Sequence, residues 1–328
     1  QGLLEKERRG QELKGVLLYS LRKLFLLVPF LVGITVISFL LGIIAPGDPA
    51  LVVLTMDGIT EPTAAELASM RHRMGLDQPY WIQYGKWLVN AVAGNLGSSY
   101  VTGRPVLEEL MRRIPVTAKL AVWAMGWIVV FGIPLGIWSA KNTNRLPEIV
   151  LRIFSLILIS VPGFWLAIIL MLVFTEELRL LPSSGYGTVS QMLMPSFVLA
   201  SGTMAAVMRL QKTTILETME KNFVLTERAK GLPSNYIMWR HVFPNSVMPV
   251  ITMLGTFFGS VLGGSVIIED LFSIPGLGSY VLSAIWSRDY PVIQGYVIIS
   301  GTIFIVFNYL VDLSYYALNP SVRQEEKV

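Results

Sequence analysis

Few side chains of this sequence could perform chemistry, and those that could are poorly placed to act together. The chain contains two histidines, His72 and His241, and no cysteine. The hydropathy pattern predicts that these histidines lie on opposite sides of a membrane, so Ser183-Ser184 and Ser201 have no base nearby with which to form a nucleophilic pair. A metal site needs several imidazole, thiolate or carboxylate ligands that converge. The sequence therefore predicts no catalytic residue and no metal ligand.

The sequence also lacks a nucleotide-binding motif. No G-x-x-x-x-G-K-[ST] segment occurs, and Gly85-Lys86 is followed by Trp87 with no glycine-rich loop before it. Such a loop is what allows backbone N–H groups to hold the phosphates of ATP. We therefore expect this chain to bind no cofactor.

Three acidic residues lie beside or within apolar blocks: Glu269, Asp270 and Asp312. A carboxylate inside a membrane is a candidate for function, because its charge is costly in hydrocarbon. We expect Glu269 and Asp270 to lie at the outer mouth of a pathway, where a solvated rim is an equally good interpretation. For Asp312, a structural hydrogen bond is favoured over contact with a solute.

The elements that carry these residues are predicted to be membrane helices. Hydrophobic residues make up 53% of the 328 residues and charged residues 15%, whereas a soluble domain has about 25% charged residues. About 20 consecutive apolar residues are needed to cross the hydrocarbon core as a helix. Blocks of this kind predict six transmembrane helices, at 24–45, 117–140, 150–174, 192–211, 247–268 and 292–315.

Lysine and arginine residues predict how the chain is oriented. They are frequent in the N-terminal segment 1–23 and in the loop 212–246, whereas the short loops on the other side contain only Arg179 and Arg288. Basic residues favour the cytoplasmic side. Both termini are therefore predicted to be cytoplasmic, and the net charge of +4 is explained by topology and not by nucleic-acid binding.

The parts of the chain outside the predicted membrane helices have different characters. Segment 1–23 mixes charge with leucine, which fits either an amphipathic helix at the membrane surface or a solvated tail. Region 46–116 is a sizeable extracytoplasmic loop with a helical stretch, AAELASMRHRMG. Segment 117–316 is a five-helix core that includes the cytoplasmic loop 212–246, and 317–328 is a cytoplasmic tail.

The most informative motif is the cytoplasmic segment FVLTERAKGLPSNYIMWRHVFPNSVMPVIT, from Phe223 to Thr252. It resembles the "EAA" loop by which permeases of bacterial ABC importers contact their ATPase, in the version of the peptide/nickel branch, T-x-R-A-K-G-L. The triplet itself is replaced by Leu225-Thr226-Glu227. A helix, a glycine turn and a second helix would form a rigid projection, with Gly231 as a left-handed cap. An ordinary basic loop is the alternative. The residues assigned to this coupling loop are Thr226, Glu227, Arg228, Ala229, Lys230, Gly231, Leu232, His241, Phe243 and Pro244.

Other segments resemble the first permease subunit of the same branch over nearly the whole chain after the N-terminal segment. Examples are Leu76-Asp77-Gln78-Pro79, Gly94-Asn95-Leu96-Gly97, Val161-Pro162-Gly163-Phe164-Trp165 and Arg288-Asp289-Tyr290-Pro291, although the second is usually Gly-Asp-Leu-Gly. The resemblance implies that the complex has a second permease, two ATP-binding-cassette ATPase subunits and an extracytoplasmic solute-binding protein. ATP and Mg would be used by the ATPase subunits alone.

Two features of the predicted membrane helices have alternative interpretations. Gly255, Gly259 and Gly263 form a G-x-x-x-G-x-x-x-G ridge that permits close helix contact. The contact could lie within this subunit, or, as the resemblance implies, beside the pathway and the partner permease.

Pro162-Gly163 should break the third membrane helix. The break is either a packing kink, which is favoured, or a place where the backbone lines a cavity.

Together these observations predict an all-α, polytopic membrane protein with the fold of a type I ABC importer permease. Its predicted function is to form half of the pathway for a short peptide or for nickel, the latter as a chelate, in the bacterial inner membrane. The alternatives are a self-sufficient secondary transporter or channel, which would need coupling charges in its membrane helices, and, less favoured, a membrane-embedded enzyme.

Overall fold

The computed structural model describes residues 25, 27–44, 47–56, 58–59 and 61–318, with side chains as far as residue 313. The predicted N-terminal segment 1–23 and most of the predicted tail 317–328 lie outside these residues. Within the described residues the regular elements are all helices, which confirms the all-α fold class. In chain order they are α1 Leu27–Ile44, α2 Pro49–Met56, α3 Ala64–Met74, α4 Tyr80–Val92, α5 Val106–Lys141, α6 Leu146–Ser160, α7 Gly163–Glu177, α8 Val189–Met219, α9 Asn222–Ala229, α10 Ser234–Ser246, α11 Met248–Leu262, α12 Val266–Leu271, α13 Leu277–Ser287 and α14 Tyr290–Leu318.

Four of these helices are long and apolar enough to cross a membrane: α1, α5, α8 and α14. Two further candidate crossings are each a bent pair of helices. The axes of α6 and α7 differ by 103°, and those of α10 and α11 by 43°. Counting each pair as one span gives the six crossings that the sequence predicts.

Several helix boundaries differ from the predicted spans. Helix α5 begins at Val106 and not at residue 117, and α8 continues to Met219, beyond residue 211. Both extensions are polar, so hydropathy alone does not include them. The fifth predicted span, 247–268, is too long, because α11 ends at Leu262 and Gly264 has a φ of +114°. The chain then turns back into the short helix α12.

Helix α8 is the centre of the bundle and packs against α5, α6, α7 and α11. Its small residues let neighbouring backbones approach: Ala200 and Ala205 are fully buried together with Ala121 and Ala124 of α5. At Gly136 of α5, a Cβ atom would stand 2.8 Å from the Met208 carbonyl oxygen. This close packing by small residues is how membrane helices associate without a hydrophobic driving force between them.

Helices α2, α3 and α4 form a small module between α1 and α5. Helix α3 covers the helical stretch predicted in region 46–116, and it begins with a capping box between Thr63 and Glu66. It ends at Gly75, whose φ is +69°. The Arg71 guanidinium contacts the Asp48 carboxylate at 2.6 Å, which ties α3 to the start of α2.

Candidate functional site

The predicted coupling loop forms a helix, a tight turn and a second helix. The N–H of Gly231 donates to the Arg228 carbonyl at 2.9 Å, and the N–H of Leu232 donates to the Glu227 carbonyl at 3.3 Å. These two bonds, with a φ of +79° at Gly231, define a Schellman cap at the end of α9. Pro233 then directly precedes α10. The predicted left-handed conformation of Gly231 is confirmed.

A buried apolar cluster anchors this helical pair to the membrane bundle. Val224 of α9 is fully buried, and it shares the cluster with Ile237 and Val242 of α10, Ile215 of α8 and Ile137 of α5. Because α8 extends beyond its predicted membrane segment to Met219, its end reaches the pair directly. Close-packed side chains therefore connect α9 and α10 to the two longest described helices, α5 and α8.

Two residues assigned to the loop meet across the turn. His241 Nδ1 lies 3.1 Å from Glu227 Oε1, and the imidazole also lies 5.8 Å from the Tyr236 ring. The other carboxylate oxygen of Glu227, Oε2, is buried and has no hydrogen-bond partner among the described residues. Glu227 thus connects α9 to α10 through one oxygen, and its other oxygen is enclosed at the turn.

The outer surface of the pair combines charge with apolar side chains. Arg228, Ala229, Lys230 and Pro244 are exposed, and Thr226 donates a 3.0 Å bond to the Asn222 carbonyl. Phe243 packs with its ring 5.5 Å from that of Trp239. Sequence reasoning missed the apolar component of this surface, since hydropathy does not report exposure. The exposed apolar side chains are Leu225, Leu232, Tyr236 and Trp239.

The glycine ridge packs inside this subunit. The position of a Cβ on Gly255 is occupied by the side chain of Val311 of α14, and a Cβ on Gly259 would lie 3.1 Å from Phe307 Cβ. Gly263 follows the last residue of α11 and so lies outside the helix. Of the two interpretations left open by the sequence, the structure therefore shows contact between α11 and α14, and not a ridge facing a partner.

The predicted helix break at Pro162-Gly163 is more severe than a packing kink. Val161 and Pro162 have extended backbone conformations, and α7 leaves at 103° to α6. Residues 162–165 are exposed in this subunit, including the large rings of Phe164 and Trp165. The break therefore lies on the surface of the bundle and is not covered by the helices described.

Glu269 and Asp270, predicted together at the outer mouth, have different environments. Asp270 is exposed, but Glu269 is fully buried, so a solvated rim is wrong for Glu269. Its carboxylate accepts bonds from Thr117 Oγ1 at 2.9 Å, from the Gly278 N–H at 2.7 Å and from the Ser279 N–H at 3.1 Å. The last two groups belong to the first turn of α13. Glu269 is thus a structural link between α5, α12 and α13.

A second buried carboxylate that sequence reasoning missed is Asp289, in the turn between α13 and α14. It accepts a 2.5 Å bond from Ser99 Oγ and a 3.1 Å bond from the Tyr100 N–H. Burial, with the nearby Asp289 carboxylate and Tyr290, raises the pKa of Tyr100 to about 12. The link fixes the segment before α5 against the start of α14.

The comparisons with known proteins agree with this architecture. The family described as "Binding-protein-dependent transport system inner membrane component" matches residues 132–324, and the N-terminal family of the same transport systems matches residues 16–121. The chain belongs to this family of membrane transport components. It is a permease subunit of an ABC importer, not an enzyme, and the resemblance inferred from its motifs is confirmed.

Relatives of nearly the same length are known. The chain is 31% identical to the dipeptide transport system permease protein DppB of Alkalihalophilus pseudofirmus, over 94% of this chain and 100% of the relative. It is 36% identical to the glutathione transport system permease protein GsiC of Pectobacterium atrosepticum, over 93% and 98%. Among solved structures, the inward-facing MetNI methionine ABC transporter has a similar fold, with a TM-score of 0.52, 15% identity and coverage of 64% of this chain and 96% of that chain.

Proposed function

We propose that the α9–α10 pair is the surface through which ATP hydrolysis on separate ATPase subunits drives this permease. The observation that carries the proposal is the exposed, rigid turn at Gly231, held by a Schellman cap and anchored to α8 by a buried cluster. A rigid helical pair passes a movement of the ATPase on to the membrane helices better than a flexible loop does, because its backbone has few other conformations. ATP and Mg bind to the ATPase subunits in this proposal, and this chain binds neither.

The exposed side chains around that turn suit a protein partner. Tyr236 and Trp239 present aromatic surface, and Arg228 and Lys230 add positive charge beside it. Aromatic residues and arginine are enriched where proteins bind one another. Glu227 lies partly buried at the same turn, where its carboxylate contacts His241 and joins the two helices.

The exposed break between α6 and α7 supports a second permease subunit. A helix break at membrane depth is tolerated where it packs in protein or lines a water-filled cavity, because hydrocarbon cannot satisfy the backbone. Residues 162–165 are exposed in this subunit. A partner permease, with the solute pathway between the two subunits, would provide both environments. An extracytoplasmic solute-binding protein would deliver the solute to the opposite side from α9–α10.

For the solute, we propose a short peptide. The relatives described above are named for dipeptide and glutathione transport, and both compounds are short peptides. Nickel, the alternative suggested by the motifs, has no such support from them. The described residues also contain no group of three or more histidine or acidic side chains that could hold a metal ion.

The proposed orientation places both termini and α9–α10 in the cytoplasm, because basic residues concentrate there. It can be tested directly, since the chain has no cysteine. In whole cells, Ser184→Cys, between α7 and α8, should react with a membrane-impermeant thiol reagent. Ser234→Cys, at the start of α10, should react only after the cells are broken. Labelling at Ser234 in intact cells would contradict the orientation.

The coupling itself is tested in liposomes that contain both permeases and the solute-binding protein. We expect uptake of a radiolabelled dipeptide only when the ATPase subunits and ATP are also present. Uptake without them would indicate a self-sufficient transporter. If ATP-driven uptake occurs for nickel and not for the peptide, the coupling proposal stands and the proposed solute is wrong.

A further inference from the structure

Helix α4 lies beside α1 at an unexpected depth. The hydroxyl groups of Tyr84 on α4 and Thr35 on α1 are 2.9 Å apart. The Phe39 ring of α1 lies 5.3 Å from the Tyr84 ring and 5.7 Å from the Trp87 ring. These contacts fix about one turn of α4 against residues 35–39 of α1. Region 46–116, expected to be an extracytoplasmic loop, thus includes a helix packed on the side of a transmembrane helix.

The position of these contacts along α1 shows how deep α4 lies. Helix α1 has 18 described residues, which at about 1.5 Å each nearly match the ~30 Å hydrocarbon core. Measured from its end at Ile44, Phe39 is about 7 Å and Thr35 about 13 Å along the axis. Both residues belong to the apolar block that is predicted to cross the membrane, and we therefore place them inside the hydrocarbon. The face of α4 that contacts them therefore lies below the membrane surface.

Helix α4 has three distinct faces. Tyr84 and Trp87 pack on α1. Gln83, Lys86 and Asn90 line a polar cleft of about 320 Å³ that α4 shares with α1 and the start of α14. The third face is apolar and open: Trp81 is 76% exposed, Val89 71% and Val92 82%, with Gly85 between them. Their spacing of four, four and three residues puts these four positions on one face of the helix.

We infer that this open face of α4, formed by Trp81, Gly85, Val89 and Val92, is a lipid-binding surface inserted among the acyl chains of the leaflet next to α2–α4. Exposure to water is disfavoured, because the face lies at the depth of Phe39 and is apolar. On α1, Ile37 lies on a different face from Thr35 and Phe39 and is an apolar side chain that is 56% exposed. On the cleft side of α4, Gln83 donates to the Leu76 and Gln78 carbonyls and Lys86 donates to Gln78 Oε1, so these polar groups have protein partners.

The residues that lead into α4 match a membrane interface. Helix α3 has an exposed polar surface with Glu66 and His72, so it belongs in water. Tyr80 and Trp81 follow at the first turn of α4 and are exposed. Tyrosine and tryptophan concentrate at membrane–water boundaries because their rings are amphipathic. Thus α3 lies outside the membrane, and α4 begins with amphipathic rings of the kind that are found near a membrane surface.

The test uses single cysteines in the permease, which has no native cysteine. Val89→Cys and Val92→Cys are each labelled with a nitroxide in the complete complex, with cysteine-free partner subunits, in lipid nanodiscs. Electron paramagnetic resonance then compares collisions with oxygen, which dissolves in hydrocarbon, and with a water-soluble nickel chelate. Ile37→Cys on α1 is the lipid-facing control, and Ala68→Cys, exposed on α3, is the aqueous control. Each variant must retain the melting temperature of the parent complex.

We expect the oxygen-to-nickel collision ratio at both α4 positions to equal that at Ile37 and to exceed that at Ala68. A ratio like that of Ala68 would show that the face is in water and would overturn the inference. Low collision rates with both reagents would show that protein covers the face, either the partner permease or the solute-binding protein, and would overturn it equally. Both α4 positions are exposed, so the label itself does not disturb packing.

Discussion

Glu269 and Thr117 are 152 residues apart in the sequence, and the Thr117 hydroxyl donates a 2.9 Å hydrogen bond to the Glu269 carboxylate in a fully buried site. The same threonine oxygen accepts a 2.9 Å bond from the Leu277 N–H, and the other carboxylate oxygen receives the N–H groups of Gly278 and Ser279. One carboxylate therefore caps α13 and ties it to α5. A negative charge at this position is favourable, because a helix N-terminus presents unpaired donors.

The first prediction concerns this link. Glu269→Ala should lower the melting temperature of the purified permease strongly, because each buried donor left without a partner costs about 1–3 kcal/mol. Glu269→Gln, which keeps one acceptor oxygen, should be intermediate. The control is Asp270→Ala, which removes the adjacent but exposed carboxylate and should change little. Equal effects at residues 269 and 270 would contradict the structural role of Glu269.

The second prediction tests the turn at Gly231. Its φ is +79°, and no atom lies within 4 Å of where a Cβ would stand, so any penalty must come from the backbone and not from a clash. Gly231→Val should cost about 1–3 kcal/mol of local strain, because a branched residue disfavours this conformation. Gly231→Asn, which tolerates it, is the matched control. We expect Val to reduce ATP-driven uptake and Asn to preserve most of it.

In that experiment, binding of solute by the solute-binding protein should be unchanged in both variants, because the turn does not take part in capture. Uptake by Gly231→Val equal to that of the parent would show that the left-handed turn is not needed for coupling. Loss of uptake in both variants would mean that the glycine matters for a reason other than its φ angle.

The third prediction concerns the pair formed by Glu227 and His241. A double-mutant cycle with Glu227→Gln and His241→Asn should give a coupling energy in stability of about 0.5–1 kcal/mol, because the pair is only partly buried. Glu227→Gln should also impair uptake more than His241→Asn does, because it changes the buried second oxygen of the carboxylate as well as the contact with His241. Equal impairment by the two changes would indicate that the residues act only through their mutual contact.

The fourth prediction tests the packing of α11 on α14. Gly255→Ala places a methyl group where the Val311 side chain already lies, and overpacking commonly costs about 1–3 kcal/mol. Adding Val311→Ala should restore much of the lost thermal stability. Gly202→Ala on α8, where no atom lies within 4 Å, is the control and should be neutral or stabilising. If Val311→Ala gives no rescue, the ridge does not pack as described.

Much of the candidate site could be predicted from the sequence because it is local. The left-handed turn at Gly231 depends on residues within one helix end and the next few positions, and glycine followed by Leu-Pro specifies it. The break before Gly163 is local in the same way, since Pro162 lacks a backbone N–H and disfavours helical geometry at Val161. What could not be predicted was the environment of Glu269, because its donors are spread over α5 and α13.

The sequence by itself determined that the chain crosses a membrane several times as helices, since stretches of apolar residues longer than about 17–20 admit no other element. It also determined which loop carries the coupling motif. The tertiary structure alone decided which faces of those helices meet: that Gly255 contacts Val311, that Glu269 is buried while Asp270 is exposed, and that α4 packs on the side of α1. Hydropathy measures how apolar a segment is. These contacts instead depend on side chains that come together from distant segments, and a single sequence does not show which segments are close in space.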